Sequence, residues 1–167
     1  MTTFSLFAHA LRYPYPGQVD QLEKDSQNIS NETGIKSFDK FIAMIKLLSL
    51  TEQEELYTRT LDLSPLTAPY VGYQIWGESY QRGEFMANLN QEMKTYEIDL
   101  EGELPDHLGP VLLYLDAASA PLPELLAVLE KSVLSMHKAL KKNEADNPYL
   151  RLFTAIAQVC KSLPVKA

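Results

Sequence analysis

The sequence predicts an all-α fold, a single helical domain spanning residues 1–167 and built from about six or seven helices. Three observations carry this. Apolar residues recur at i, i+3, i+4 and i+7 in four separate stretches, and no stretch sustains the strict alternation of a half-buried strand. Hydrophobic residues make up 46% and charged residues 22% of the chain, the usage of a protein that can bury a core rather than stay disordered. Helix-start signals fall at the edges of these stretches, as separate helices joined by short turns require.

Taken in chain order, Phe38, Phe41, Ile42, Ile45 and Leu48 form the first apolar stripe. Thr51 followed by Glu54 reads as a capping box, so a helix through Leu56 and Tyr57 is expected to begin there. The segment 63–77 is apolar and aromatic but interrupted by Pro65, Pro69, Gly72 and Gly77, which predicts a loop or broken helix. Apolar side chains on irregular backbone are either folded onto the body or reserved for a partner. Phe85, Leu89, Met93, Tyr96 and Leu100 form the second stripe. Asp106, after Pro105, reads as the N-cap of the apolar helix that follows. Pro121 is expected to open the long third stripe, Leu122, Leu125, Leu126, Leu129, Val133, Met136 and Leu140. Asn147 before Pro148 marks the start of the fourth, Leu152, Phe153, Ile156, Val159 and Leu163.

Charge and cysteine content narrow the function. The formal charge is −7, which disfavours a nucleic-acid partner, because phosphate binding needs clustered Lys and Arg. Residues 78–106 hold eight acids against Arg82 and Lys94, so −6 of that charge lies in one stretch. Such a run is either a solvated face or an acidic rim that attracts a basic peptide. Cys160 is the only cysteine, which excludes an intrachain disulfide and suits a reducing compartment. The start, Met1 to Phe7, lacks a basic n-region and its apolar run ends at His9 and Arg12, so neither export signal nor membrane insertion is expected and the cytoplasm is the predicted location. The glycosylation-type triplets at Asn28 and Asn31 then carry no meaning.

Signs of catalysis are sparse. His9, His107 and His137 form no ligand constellation with an acid, and no phosphate cradle or nucleophile elbow occurs, so neither metal nor cofactor is expected. Asp106-His107 is the one pair resembling acid–base machinery, although sequence neighbours rarely face each other at a helix start and a cap beside a first-turn histidine is the simpler account. Cys160 lies on an apolar stripe, as a structural thiol would.

The segment Glu103-Leu104-Pro105-Asp106-His107-Leu108-Gly109 resembles the E-P-x-D-H hinge of the TorD/DmsD chaperones and the E-L-P-D-(Y/H)-L segment of the related NarJ chaperones, the nitrate reductase delta subunits. Leu11-Arg12-Tyr13-Pro14 is similar to the NarJ opening L-x-Y-P, and Tyr57 to Asp62 resembles its Y-x-x-x-F-D with Leu61 in place of phenylalanine. Trp76 to Met86 resembles H-G-(E/D)-S-x-x-R-G-x-A-M, departing at Trp76 and Phe85, and Asn147 to Arg151 resembles the H-P-(F/Y)-Y-R of the TorD/DmsD branch. The matches keep their order from about residue 11 to residue 160, with the hinge near 101–109.

The resemblance implies a chaperone, not an enzyme, that holds the N-terminal leader, twin-arginine or leader-like, of an apo molybdenum oxidoreductase catalytic subunit until its cofactor is inserted. A stable accessory or adaptor subunit is the alternative, and an Asp/His-dependent hydrolase a more distant one. A monomer or a hinge-exchanged dimer fits either. By position, the resemblance carries peptide recognition to Pro69, Tyr70, Pro105, Asp106 and His107. An amphipathic peptide helix needs an apolar groove and a charged complement. Tyr70, Tyr73, Ile75 and Trp76 are expected to line that groove, with Glu78, Glu84, Glu103 and Asp106 at the basic end.

Overall fold

The computed structural model describes residues 1–29 and 32–163; Ser30 and Asn31, which complete and open the two glycosylation-type triplets, lie outside the described residues. Within them the chain forms α1 (Thr3–Ala10), α2 (Gln18–Asn28), α3 (Ile35–Ile45), α4 (Leu50–Tyr57), a π-helical turn (Thr58–Asp62), α5 (Val71–Trp76), α6 (Tyr80–Thr95), α7 (Leu108–Ala117), α8 (Pro123–Asn143) and α9 (Tyr149–Lys161). The fold is all-α, as expected, with nine α-helices among the described residues rather than six or seven.

The four apolar stripes explain the packing. Phe38, Phe41, Ile42 and Ile45 on α3, Phe85, Leu89 and Met93 on α6, and Leu125, Leu129, Val133, Met136 and Leu140 on α8 are all buried. So are Leu152, Phe153, Ile156 and Val159 on α9. Helix α9 is central, packed between α8 and α3; α8 in turn carries α5, α3 carries α2, and α1 lies along α7. All of these side chains join one hydrophobic cluster, which makes the protein one domain. Among the described residues no helix is long and apolar enough to cross a membrane. Cys160 is buried in this core, where loss of hydration pushes its thiol up to about 12.

The two additional elements lack a stripe for physical reasons. Helix α2 buries Gln18, Leu22 and Ser26, so two of its three inward residues are polar. Gln18 donates its amide to the carbonyls of His9 and Arg12, capping the end of α1, and Ser26 donates to Asp39 at 2.5 Å. Helix α5 occupies only six residues, between Pro69 and Gly77, inside the segment expected to be irregular.

Three helix starts differ from the sequence reading. The capping box of α4 is Ser49 with Glu52, not Thr51 with Glu54: the Ser49 hydroxyl accepts from the Glu52 N–H at 3.2 Å, and the Glu52 carboxylate accepts from the Ser49 N–H at 3.0 Å. Both pairs have the right spacing, and the earlier one starts the helix first. Helix α8 opens at Pro123, two residues past Pro121, because Tyr114 Oη accepts the Leu122 N–H at 3.0 Å and ties the linker to α7. Asp106 does not cap α7; His107 does, its Nδ1 accepting from the Gly109 N–H at 3.0 Å. Asn147 stands one residue before the cap position of α9, Pro148, and its side chain accepts the Tyr149 N–H at 2.9 Å.

The two candidate capping boxes make separable predictions. Ser49→Ala should lower unfolding free energy by ~1 kcal/mol in urea titration, whereas Thr51→Ala should change it by less than ~0.5 kcal/mol. A larger loss at Thr51 would contradict the observed helix start.

Candidate functional site

The hinge between α6 and α7 is a shaped loop. Glu97 and Glu101 adopt φ of 55° and 52°, and Gly102 follows at 81°, so the backbone passes repeatedly through the left-handed region that glycine tolerates best. Asp99 supports one of these turns by accepting the Glu101 N–H at 2.8 Å. At its far end the hinge pairs with the start of α5: the Val71 N–H donates to the Asp106 carbonyl and the Leu108 N–H to the Pro69 carbonyl, both at 2.8 Å. Tyr70 and His107 thus face each other in a two-residue antiparallel bridge.

At this bridge Asp106 is fully buried. Its carboxylate accepts from Arg82 Nε at 3.0 Å and Nη2 at 3.2 Å, and from the Gly72 N–H at 3.0 Å. A Cβ on residue 72 would lie 2.8 Å from that carboxylate and 3.1 Å from both Arg82 and Phe85, so only glycine admits the approach. The Arg82 guanidinium lies 5.5 Å from the ring centres of both Tyr70 and Tyr73, a cation held by aromatic faces as well as by charge. Trp76 packs on Phe85 at 5.0 Å.

His107 has a different setting. Because its Nδ1 is an acceptor, the neutral ring carries its proton on Nε2, which has no partner among the described residues. Burial lowers its pKa from the usual 6.5, against the opposing pull of Glu103, Asp106 and Glu101. The Tyr70 ring meets it edge-on at 5.3 Å, and the Tyr70 hydroxyl donates to Glu103 at 2.8 Å. Burial and that carboxylate raise the Tyr70 pKa. Asp106 and His107 are therefore neighbours in sequence with separate partners, and they do not form an acid–base dyad.

A cleft of about 330 Å³ opens beside the hinge. His107, Glu103, Glu101 and Leu100 form its hinge side, with Leu11 from the cap of α1, Arg12, Tyr13 and Tyr15 from the loop between α1 and α2, and Tyr57 from the end of α4. Tyr13 is shared with a neighbouring cleft of about 520 Å³ that reaches Leu63, and Tyr15 with another of about 240 Å³ that reaches Leu50 and Lys46. A line of aromatic contacts connects the walls to the core, from Tyr13 through Tyr57, Tyr149, Phe41 and Phe38 to Phe7.

The predicted residues separate accordingly. Tyr70, Glu103, Pro105, Asp106 and His107 converge at the hinge, with Pro69 buried behind Tyr70. Of these only Glu103 and His107 reach the cleft. Tyr73 and Trp76 gather instead around Arg82 and Phe85, and Glu78 and Glu84 are exposed on the α6 side, so the expected groove of Tyr70, Tyr73, Ile75 and Trp76 is not the cleft at the hinge. Asp106 offers no accessible carboxylate to a basic ligand, because Arg82 already occupies it. None of Arg82, Gly72, Arg12, Tyr13, Tyr15 and Tyr57 was given a site role from the sequence, although Tyr13, Tyr57 and Arg82 stand at the Y, Y and R of the resembling motifs. Beside those motifs, a further signal was that Arg82 is one of only two cations among the eight acids of 78–106. Among the described residues no three metal-binding side chains cluster.

No protein-family model and no curated protein matches the chain.

Two outcomes follow from this geometry. Asp106→Ala, which would cost ~1 kcal/mol as a lost cap, should cost about 3–5 kcal/mol by urea unfolding, because it leaves Arg82 charged and largely buried without its counterion. The unfolded His107 takes up a proton near 6.5 and the folded one only at lower pH, so the folded state binds fewer protons in that window. Stability should hold above the unfolded value and fall as pH drops below it. His9 and His137 are lowered in the same sense, so the test is a shallower acid decline in His107→Gln than in the wild type.

Proposed function

We propose that the chain is a maturation chaperone, not an enzyme, which binds the N-terminal peptide of an apo molybdenum oxidoreductase catalytic subunit in the cleft at its α6–α7 hinge. The ordered resemblance to the NarJ and TorD/DmsD chaperones supplies the class of client. The observation that carries the reading is that Glu103 and His107, both from the resembling hinge, share one cleft wall opposite Tyr13, Tyr15 and Tyr57.

This arrangement suits a peptide with a basic end and an apolar run. Tyr13 and Tyr15 are 50% and 42% exposed, which gives a partner aromatic surface to desolvate. Glu101 and Glu103 supply the negative charge, and the Nε2–H of His107 supplies a single donor for a peptide carbonyl. Asp106 acts in this scheme as a positioning residue: with Arg82 it fixes where α7 begins and hence where His107 stands. The apolar role assigned from sequence to Tyr73 and Trp76 passes to Tyr13, Tyr15 and Tyr57. The working location remains the cytoplasm, before export or membrane docking of the client.

Titration calorimetry with a synthetic peptide carrying a basic end and an apolar helix-forming run tests the proposal. Loss of a desolvated aromatic typically costs ~2 kcal/mol, so Tyr13→Ala should weaken binding more than tenfold. Trp76→Ala and Glu84→Ala should stay within about threefold of the wild type, the first with lowered stability. Losses at Trp76 that match or exceed those at Tyr13 would move the site back to the α5–α6 side and sink this placement.

A further inference from the structure

One ion pair at the cleft has the geometry of a ligand contact. Arg12, just past the end of α1, reaches Glu101 of the hinge loop across 89 positions of sequence. Nε donates to Oε2 at 3.1 Å and Nη2 to Oε1 at 2.5 Å, so the two groups meet fork to fork. Both residues line the cleft, and their side chains are 44% and 39% exposed.

The contrast with Arg82 is informative. Arg82 and Asp106 are 14% and 0% exposed, and their exchange for an outside partner would require opening the fold. The Arg12–Glu101 pair is half in water, where such pairs contribute little and part readily. A bidentate carboxylate held at a cleft wall is a guanidinium site, and here the protein's own guanidinium fills it.

We propose that Arg12 is a built-in competitor for the cleft: it occupies the Glu101 subsite in the free protein and is displaced there by an arginine of the bound peptide. Peptide binding is then an exchange of one guanidinium for another, and Glu101 selects arginine over lysine, because an ammonium cannot reproduce the two parallel bonds. This inference rests on the peptide-binding reading above and adds to it the identity of one ligand group and the residue that holds its place.

The test uses the full chain and two synthetic peptides, each an apolar run preceded by basic residues, arginine in one and lysine in the other. Binding is measured by calorimetry to wild type, Arg12→Ala and Glu101→Gln. Removing an exposed pair leaves the fold intact, so both variants should melt within about 4 °C of the wild type. Arg12→Ala should bind the arginine peptide about three- to fivefold more tightly, with a smaller gain for the lysine peptide. Glu101→Gln should weaken the arginine peptide to the level of the lysine one. Equal or weaker arginine-peptide binding by Arg12→Ala would overturn the competitor while leaving a peptide site in place. An equal gain for both peptides would reduce Glu101 to a point charge and overturn the guanidinium subsite. Failure of wild type and Arg12→Ala alike to bind either peptide would overturn the peptide reading itself, and the competitor with it.

Discussion

The buried pair of Arg82 and Asp106 is the constraint on which the hinge depends. A carboxylate with no exposure to water is tolerable only if its lone pairs are filled and its charge is balanced. The chain meets that demand from three separate places: a guanidinium from α6, a backbone N–H from α5, and the carboxylate from the loop before α7. Each supplier is then fixed in turn. Residue 72 is glycine because any side chain would strike the carboxylate, Tyr70 and Tyr73 flank the cation, and the strand-like bridge between Tyr70 and His107 closes alongside. The position of His107 in the cleft is a consequence of a charge that never touches the cleft.

The same economy explains the acidic stretch. Five of its eight acids are engaged within the protein: Glu92 accepts from the Tyr114 hydroxyl, Asp99 from the Glu101 N–H, Glu101 from Arg12, Glu103 from the Tyr70 hydroxyl and Asp106 from Arg82. A run that looks in sequence like one electronegative rim is divided in space. Part of it anchors helices to one another, Glu78 and Glu84 remain on the surface, and Glu101 and Glu103 line the cleft.

What was legible in the sequence was whatever depends on near neighbours. The stripes of α3, α6, α8 and α9 are periodic, and periodic burial follows from helix geometry, so the all-α class could be read directly. Helix α2 could not, because it presents Gln18 and Ser26 inward and their value lies in hydrogen bonds to α1 and α3. The loop before α7 was picked out by its motif, but the capping part given to Asp106 was misassigned. A Pro-Asp before an apolar helix has the local signature of a cap, while the groups that claim this carboxylate lie 24 and 34 residues away. The gathering of Tyr73 and Trp76 around Arg82 and Phe85 was hidden for the same reason. Tyr73 and Trp76 look available in one dimension, whereas Tyr13, Tyr15 and Tyr57 meet the hinge only after α1 and α4 have packed.

The single tryptophan of the chain, Trp76, rests against Phe85, whose ring is one of the three groups closest to position 72 and hence to Asp106. The cleft walls, by contrast, carry tyrosine alone among indole and phenol chromophores. Indole emission therefore reports on the surroundings of the Arg82–Asp106 joint and not on the cleft. The joint can thus be followed optically in the unmodified molecule through one chromophore.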